Sequence, residues 1–426
     1  MTRVCVINVV GLTPELLQYA PNISALGSAI PWQSPYPAVT CTAQATMLTG
    51  LPPSRHGIVG NGWYFRDTAE IRFWQQSNSL IQADQLLYDG IETAKLFWWF
   101  NQHAPVRWSV TPKPFYGCDG SKVFDVLDRT DCNLTKILGP FPFFSFWGPS
   151  AGLPASEWIA KATALVLKTN SPELTLTYLP HLDYDFQRFS APDLNQIAAV
   201  DRCAGMVIDA AKSIDAIPII VSEYGLVPVH KSVSINRELR NAGLLAVRSG
   251  PFGELMMPGD SAAFAVVDHQ VAHIYVRDNS MKEEVRSLVQ SINGVASVVD
   301  PSQLDLNHPR SGDWIALAHE DAWFNYYYWL EDSLAPDFAR TVDIHRKPGY
   351  DPVELFMTSK VRAALRLIQK KIGFRYKMDV IPLDANLVKG SHGLRPLPQK
   401  GPLIIGPGAP GNMLQFKDYI RNLLGR

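Results

Sequence analysis

The sequence contains few cysteines and no long apolar run. Its five cysteines are scattered over 426 residues, are odd in number and form no Cys-x-x-Cys pair, which argues against a zinc ribbon and a disulfide framework. No stretch of about 18 uninterrupted apolar residues occurs, which excludes a membrane-spanning helix. The apolar run after Met1 is too short for a signal peptide and lacks a small-residue cleavage site. We therefore predict a cytoplasmic protein without a membrane partner.

An excess of charge of either sign is also absent. The formal net charge is −1 and no basic stripe stands out, so a nucleic acid duplex is not an expected partner. A small anionic ligand needs only local positive charge and remains compatible with this balance. The composition, 46% hydrophobic and 19% charged, is typical of a globular protein with a sizeable core. A chain of 426 residues favours two domains, or one large domain with an insertion.

Apolar, β-branched runs alternate with helical patterns along the chain. Strands are predicted at Val4–Val10, Leu174–Leu179 and Ile217–Ser222, and helices at Glu157–Lys168 and Leu194–Lys212. This order predicts an α/β fold with a largely parallel central sheet and helices on both faces. In such sheets the functional groups gather at the carboxyl ends of the strands.

A different pattern follows, with short strands close together around one amphipathic helix. It predicts a small α+β insertion at residues 235–335, between a first core part, 1–234, and a second, 336–426. The predicted elements of the insertion are the strands Ala263–Val267, His273–Val276 and Val295–Val299 and the helix Met281–Ile292.

Residues 35–61 are the most informative segment for chemistry. A helix is predicted over about Thr42–Thr49, ending at Gly50. Thr40 then lies at the mouth of the helix, where backbone N–H groups and the positive dipole end suit an anion and an activated alkoxide. On spacing alone, a structural N-cap is the better interpretation of Thr40 or Thr42.

The order Thr-x₈-Thr-Gly-Leu-x-Pro-x-x-His-Gly-Ile-x-x-Asn in this segment resembles the alkaline phosphatase superfamily, in its nucleotide pyrophosphatase/phosphodiesterase branch. The resemblance implies an alkaline phosphatase-like fold, with Thr40 as nucleophile and Asn61 holding a phosphate oxygen. Later segments agree with the same family in order and character. They are Tyr178–Gln187, Ile219–Gly225 and Gly390–Gly393, which resemble the family's Asp-x-x-x-His, Ser-Asp-His-Gly and Gly-Thr-His-Gly motifs.

The resemblance implies two zinc sites, and the first is incomplete here. The family builds it from Asp-x-x-x-His and a late His, which fall on Asp183, Gln187 and His392. A neutral glutamine amide is a weak ligand, so one imidazole ligand is missing from this site.

The second zinc site that the resemblance implies departs further from the family pattern than the first. The family's early Asp falls on Val10, with Asn8 two residues back on the same strand face, and its Asp-His pair falls on Glu223-Tyr224. A second imidazole and one carboxylate are therefore missing, and one Asp has lengthened to Glu. Tyr224 and Gln187 are predicted to donate hydrogen bonds to substrate where a second metal would otherwise sit.

The remaining ligand set is Asp183, Glu223 and His392. One imidazole and two carboxylates predict one divalent metal ion, with Mn²⁺, Fe²⁺ or Mg²⁺ as acceptable as Zn²⁺. The pair Asp343 and His345 precedes a basic cluster and is an alternative source of ligands or substrate contacts. A loop with a solvated charge cluster explains that segment equally well.

Two further histidines receive different interpretations. Asp268-His269 lies between predicted strands and is interpreted as a structural hydrogen-bonded pair. His181 is a reserve ligand, because strand alternation would put it on the same face as Asp183.

These residues predict a metal-dependent hydrolase of a small phosphate ester, of phosphodiester or pyrophosphate type, acting through a covalent threonine intermediate. A phosphonate hydrolase or phosphotransferase on the same scaffold is one alternative, because a fold does not determine function. A metal-free binding protein descended from a hydrolase is the second.

Overall fold

The computed structural model describes residues 2–118, 122–189, 191–374 and 376–426, and a central sheet organises them. The five strands in its middle run parallel, and the strands at both edges are antiparallel. In spatial order the strands are Ile30–Pro31, Leu403–Ile405, Ala216–Val221, Arg3–Val9, Leu174–Leu179, Thr93–Leu96, Trp108–Pro112 and Val126–Arg129.

Helices cover both faces of this sheet because successive side chains of a buried strand point in opposite directions. In the strand Arg3–Val9, Ile7 belongs to the core that includes the helix Leu153–Asn170. Val6 belongs to the core on the other face, which includes the helix Thr40–Thr49. The predicted α/β class with a largely parallel sheet is confirmed.

The α-helices range from single turns to long amphipathic segments. They are Pro21–Ser24, Thr40–Thr49, Pro53–His56, Leu134–Leu138, Leu153–Asn170, His181–Arg188, Leu194–Lys212, Ile235–Asn241, Lys282–Ser291, Lys360–Lys371 and Phe416–Leu424. In the part of the chain that the structure describes, no helix combines the length and the apolar character needed to cross a membrane.

A second, antiparallel sheet lies in the predicted insertion. Its strands, in spatial order, are Ala263–Asp268, Val271–Val276, Trp314–Ala318 and Val295–Val299. The core of this sheet continues beyond residue 335, since Tyr350, Val353 and Val380 belong to it. The aromatic run Trp323–Trp329 is buried in the same core.

Outside these two sheets, the described strands pair as short two-stranded ribbons. They are Gly62–Phe65 with Glu70–Phe73, Phe115–Tyr116 with Lys122–Val123, Val227–Pro228 with Gly390–Ser391, Lys231–Val233 with Ala322–Phe324, and Val247–Gly250 with Gly253–Met256.

Candidate active site

Thr40 is the first residue of the helix Thr40–Thr49, two residues earlier than predicted. The N-cap is Val39, whose side chain cannot cap, so Thr40 is not an N-cap and the first N–H groups of the helix need other partners. The buried Thr40 hydroxyl lies 3.1 Å from the hydroxyl of Tyr224. Gly50 ends the helix with φ +68°, a left-handed conformation that favours glycine.

Asn61 lies beside Thr40 and is held on three sides. Its Oδ1 accepts a hydrogen bond from the backbone N–H of Cys41 at 3.0 Å. Its backbone N–H donates to Asp268 Oδ2 at 2.7 Å, and its Nδ2 donates to Asp268 Oδ1 at 3.1 Å. The carboxamide of Asn61 is therefore fixed in orientation, with one Nδ2–H committed to Asp268 and one remaining.

Asp268 belongs to the inserted sheet and contacts Asn61. It is the last residue of the strand Ala263–Asp268, and His269 follows in the turn with φ +62°, a conformation that is costly for a residue with a side chain. Gln270 then donates its backbone N–H to the His392 carbonyl at 3.0 Å. The tip of this hairpin thus reaches Asn61 and His392, which the interpretation of Asp268-His269 as a structural pair did not foresee.

We expect Asp268→Asn to lower kcat/KM by about 10–100-fold, the usual cost of losing a residue that orients a functional group. The substituted amide keeps one acceptor oxygen and turns an NH₂ group towards a donor of Asn61. Steady-state kinetics with an aryl phosphate ester measure the effect, with Asp313→Asn, in the same sheet assembly but bonded to Val276 and Lys282, as the matched control. Equal losses in both variants would contradict a specific role of Asp268.

Asp183 and Gln187 lie one turn apart on the helix His181–Arg188 rather than on a strand. Gln187 Nε2 donates to Asp183 Oδ2 at 2.7 Å, and Gln187 Oε1 accepts from the Tyr350 hydroxyl at 2.9 Å. His181 does not share the face of Asp183, because residues two apart on a helix diverge. Its Nε2 lies 2.7 Å from Gln196 Oε1, so the reserve-ligand hypothesis for His181 rested on the wrong secondary structure.

Asp183 also faces His392 and Tyr224. The Tyr224 hydroxyl donates to Asp183 Oδ1 at 3.3 Å, and His392 Nε2 lies 3.7 Å from the same oxygen. His392 Nδ1 lies 2.7 Å from the Ala38 carbonyl oxygen, a contact that requires a proton on Nδ1. In the neutral ring, Nε2 therefore directs its lone pair towards the site.

The pair Asp183 and His392 fits a single cation. A lone pair and a carboxylate oxygen face each other at 3.7 Å, a separation that two bonds of about 2.0–2.2 Å to one shared ion allow. The backbone partner on the other ring nitrogen is the usual outer support of a ligating histidine. Among residues 2–118, 122–189, 191–374 and 376–426, however, no group of three or more His, Cys, Asp or Glu is arranged to hold a metal ion.

Glu223, the third predicted ligand, has a different set of partners. Its Oε1 accepts hydrogen bonds from Asn8 Nδ2 and from Gln44 Nε2, both at 2.6 Å. Its Oε2 is buried and has no hydrogen-bond partner within the described residues. Gln44 lies one helical turn after Thr40 and was not predicted, since a single glutamine within a helix carries no distinctive signal. The family's two-zinc set, with Val10, Gln187 and Tyr224 at ligand positions, does not fit this chain.

Burial dominates the electrostatics of these groups. It raises the pKa of Asp183 and of Asp268 to about 7 and the pKa of Glu223 to about 8, against hydrogen bonds that act in the opposite direction. Burial lowers the pKa of His392 to about 3, so its ring is neutral at physiological pH. These three carboxyl groups therefore titrate close to neutral pH, and a positive charge that enters the site would favour their ionised forms.

These shifts predict how stability depends on pH in the presence of a chelator. Between the unfolded carboxyl pKa of about 4 and the folded values near 7 to 8, the folded state binds more protons than the unfolded state. The stabilisation is thus fully present below pH 4 and is lost as the pH rises to about 8. Other groups titrate as well, so the wild type is compared with Asp268→Asn. The melting temperature of the wild type minus that of the variant should be larger at pH 5 than at pH 8. An increase of this difference with pH would contradict the raised pKa of Asp268.

Four rings form a column through the site. His269 lies between Tyr350 and His392, with ring centroids 3.8 and 3.5 Å away, and His392 stacks on Tyr224 at 3.6 Å. Nδ1 of His269 is buried and has no partner within the described residues. His269 therefore lies within the candidate site, in contact with His392.

Asp343 and His345 do not join this cluster. Asp343 forms an ion pair with Arg346 at 3.4 Å, and His345 Nδ1 lies 3.3 Å from the Phe73 carbonyl oxygen. His345 and Arg346 line a separate cavity of about 700 Å³. The solvated-loop interpretation is also incomplete, because the neighbouring Lys347 is buried.

Comparisons with known proteins give a family match and similar solved structures. Residues 4–351 match the family model of type I phosphodiesterase / nucleotide pyrophosphatase. A search of curated proteins finds no match to the chain. Phosphonoacetate hydrolase from Sinorhizobium meliloti 1021, in complex with phosphonoacetate, is similar in structure with a TM-score of 0.63 at 17% identity, covering 99% of this chain and 96% of that one.

Mammalian structures are similar as well. Murine ectonucleotide pyrophosphatase / phosphodiesterase 5, in an inactive form in complex with AMP, has a TM-score of 0.58 at 13% identity and covers 100% of this chain and 95% of its own. The human protein of the same name gives the same four values. At these identities the likeness establishes the alkaline phosphatase-like fold. The family match spans most of the chain, which therefore belongs to the type I phosphodiesterase / nucleotide pyrophosphatase family of phosphoester hydrolases.

Proposed function

We propose that this enzyme cleaves a small phosphate or phosphonate ester through a covalent intermediate on Thr40. The observation that carries the proposal is the position of the Thr40 hydroxyl, at the start of a helix and 3.1 Å from Tyr224, beside the fixed carboxamide of Asn61. The positive end of the helix favours an anionic phosphoryl group at this position. An inactive form of the murine relative carries a threonine-to-alanine substitution and holds AMP, which is consistent with a threonine nucleophile.

In the proposed first step, Thr40 Oγ attacks phosphorus and the ester oxygen leaves with the electrons of its P–O bond. Tyr224 donates a hydrogen bond to Asp183, so its oxygen is available to accept one from Thr40. The Thr40 proton thus has a connected path towards a buried carboxylate. In the second step, the oxygen of water attacks phosphorus and the P–Oγ bond breaks. Oγ keeps the bonding electrons and takes up a proton through Tyr224, so the Thr40 hydroxyl is restored and the phosphate product leaves, as in other covalent hydrolases.

Asn61 is assigned to the non-bridging oxygens of the phosphoryl group. Cys41 and Asp268 fix its carboxamide, which leaves one Nδ2–H for the substrate. A donor that is held in place before the reaction stabilises developing charge without reorganisation. Gln187 and Tyr224 are assigned to substrate binding. Each donates a hydrogen bond to Asp183, so both side chains lie at the candidate site.

Asp183 and His392 are the residues that would hold one divalent cation, of zinc, manganese, iron or magnesium. Such a cation, when bound, offsets charge on the phosphoryl group and lowers the pKa of bound water. Glu223 is retained as a lower-priority ligand, supported by its unpaired Oε2.

Asp183→Asn and His392→Ala are each expected to lower the affinity for Mn²⁺ or Zn²⁺ by at least about 10–100-fold, because loss of a direct ligand costs no less than loss of an outer one. Isothermal titration calorimetry of the chelator-treated protein measures this affinity. The control is His319→Ala, which removes an exposed histidine. Unchanged affinity in the first two variants, or an equal loss in the control, would move the site elsewhere.

The proposed activity is tested with p-nitrophenyl phosphate, bis(p-nitrophenyl) phosphate and phosphonoacetate, each with and without added Mn²⁺ or Zn²⁺. Release of p-nitrophenol from either ester is the expected result. Release of phosphate from phosphonoacetate alone would favour the phosphonate hydrolase. Binding of all three without turnover would contradict the proposal and favour the binding-protein alternative.

A further inference from the structure

The helix Lys360–Lys371 presents apolar side chains to solvent. None of its residues is buried. Val361, Leu365 and Ile368 are 70%, 60% and 55% exposed, and Ile372, just after the helix, is 63% exposed. Spacings of four, three and four residues place these side chains on one side of the helix. They define an apolar stripe, and surface helices ordinarily bury such a stripe against the core.

The helix is attached to the protein by its opposite side. Arg362 and Arg366 both pair with the Asp379 carboxylate, with Arg366 Nε 2.8 Å from Asp379 Oδ1. Ala363 is half-buried against the core of the inserted sheet. At about 100° per residue, Ala363 lies about 160° around the axis from Leu365. The polar side therefore docks and the apolar stripe faces outwards, the reverse of a normal amphipathic helix.

The charge of the helix has one sign. It carries five basic residues and no Asp or Glu; these residues are Lys360, Arg362, Arg366, Lys370 and Lys371. Lys360 and Lys371 project from one flank of the apolar stripe, at about 90–110° from its centre. Phe374 follows the helix and is 65% exposed, which extends the apolar surface.

We propose that this helix binds the surface of an anionic phospholipid bilayer. An apolar stripe beside lysines is the composition of helices that lie in the membrane interface, with the stripe among the acyl chains and the cations on the phosphates. A second copy of the chain fits poorly, because two such helices face to face would bring like charges together. The sequence-based expectation of no membrane partner considered only spanning helices, and an interfacial helix does not need their length.

The proposal predicts binding that depends on lipid charge. The protein is expected to float with vesicles of equimolar phosphatidylcholine and phosphatidylglycerol, and not with vesicles of phosphatidylcholine alone. Each basic residue near an anionic surface contributes about 1 kcal/mol, so Lys360→Glu with Lys371→Glu should lower vesicle affinity by at least about tenfold. Added salt should weaken binding, because salt screens the lipid charge.

The apolar contribution is tested with Leu365→Glu combined with Ile368→Glu, which should abolish flotation. Ile137→Glu is the matched control, since Ile137 is 61% exposed on the unrelated helix Leu134–Leu138. All variants should keep the circular dichroism spectrum and the turnover of a soluble ester, which makes this test independent of the proposed catalytic residues. No flotation of the wild type, equal flotation of all variants, or a dimer in sedimentation that the Leu365→Glu, Ile368→Glu variant dissociates would overturn the proposal.

Discussion

Thr40→Ala is expected to lower kcat for an aryl phosphate ester by about 10³-fold or more, because removal of a nucleophile costs up to about 10⁶-fold in a well-studied hydrolase. The substitution removes the attacking oxygen and leaves the helix start, the Asn61 contacts and the carboxyl groups in place. The melting temperature should change little, since only a small methyl group and the hydroxyl that lies 3.1 Å from the Tyr224 hydroxyl are removed. Steady-state kinetics and a thermal melt measure both quantities.

Thr42→Ala is the matched control for this variant. Thr42 lies in the same helical turn and is equally buried, but its hydroxyl has no hydrogen-bond partner within the described residues. Its kcat should stay within a few-fold of the wild type. A wild-type rate in Thr40→Ala, or the same large loss in Thr42→Ala, would show that the helix contributes packing rather than a nucleophile.

Lys347→Met is expected to destabilise the fold by about 3–5 kcal/mol, the usual cost of leaving a buried charge without its partner. Lys347 is 1% exposed, and its ammonium group lies 2.7 Å from both Asp351 Oδ2 and Glu354 Oε1. The substitution keeps the volume of the side chain and leaves two buried carboxyl groups without a cation. The free energy of unfolding in urea measures the effect.

Arg346→Met supplies the comparison. Arg346 is the next residue along the chain, is 68% exposed and pairs with Asp343 at 3.4 Å. A surface ion pair of this kind contributes about 0–1 kcal/mol, so the loss should be several times smaller than in Lys347→Met. Similar small losses in the two variants would mean that the carboxyl groups near Lys347 adapt by taking up protons. Because Tyr350, three residues after Lys347, donates a hydrogen bond to Gln187 at the candidate site, Lys347→Met should also lower activity.

The sequence predicted the elements that its local patterns encode. Strand and helix periodicity located the parallel core, and the spaced motif from Thr40 to Asn61 identified two residues that the fold joins through the Cys41 N–H. Asp183 and His392 were also expected to meet, and they do so at 3.7 Å. Periodicity predicted the elements of the core, and the motifs predicted which of these residues lie close together. The chemical roles assigned to these four residues stay predictions.

Residues that reach the site from distant parts of the sequence could not be predicted in the same way. Asp268 and His269 reach the site only because the hairpin of the inserted sheet docks on the core, and no local pattern encodes that contact. Gln44 lies one helical turn after Thr40, on the same face of the helix, and donates a hydrogen bond to Glu223. A glutamine at this position did not by itself predict a site residue. Asp183 was assigned to a strand end and lies on a short helix, since Pro180 and the following polar residues begin that helix directly after the strand.

The most direct test of Thr40 as the nucleophile is an attempt to trap a phosphorylated form of the enzyme. The enzyme is mixed with p-nitrophenyl phosphate, quenched in acid within the first turnovers, digested and analysed by mass spectrometry. We expect one phosphoryl group on the peptide that contains Thr40, absent from Thr40→Ala and retained in Thr42→Ala. Turnover without any phosphorylated peptide, or with phosphate on a different residue, would contradict Thr40 as the nucleophile.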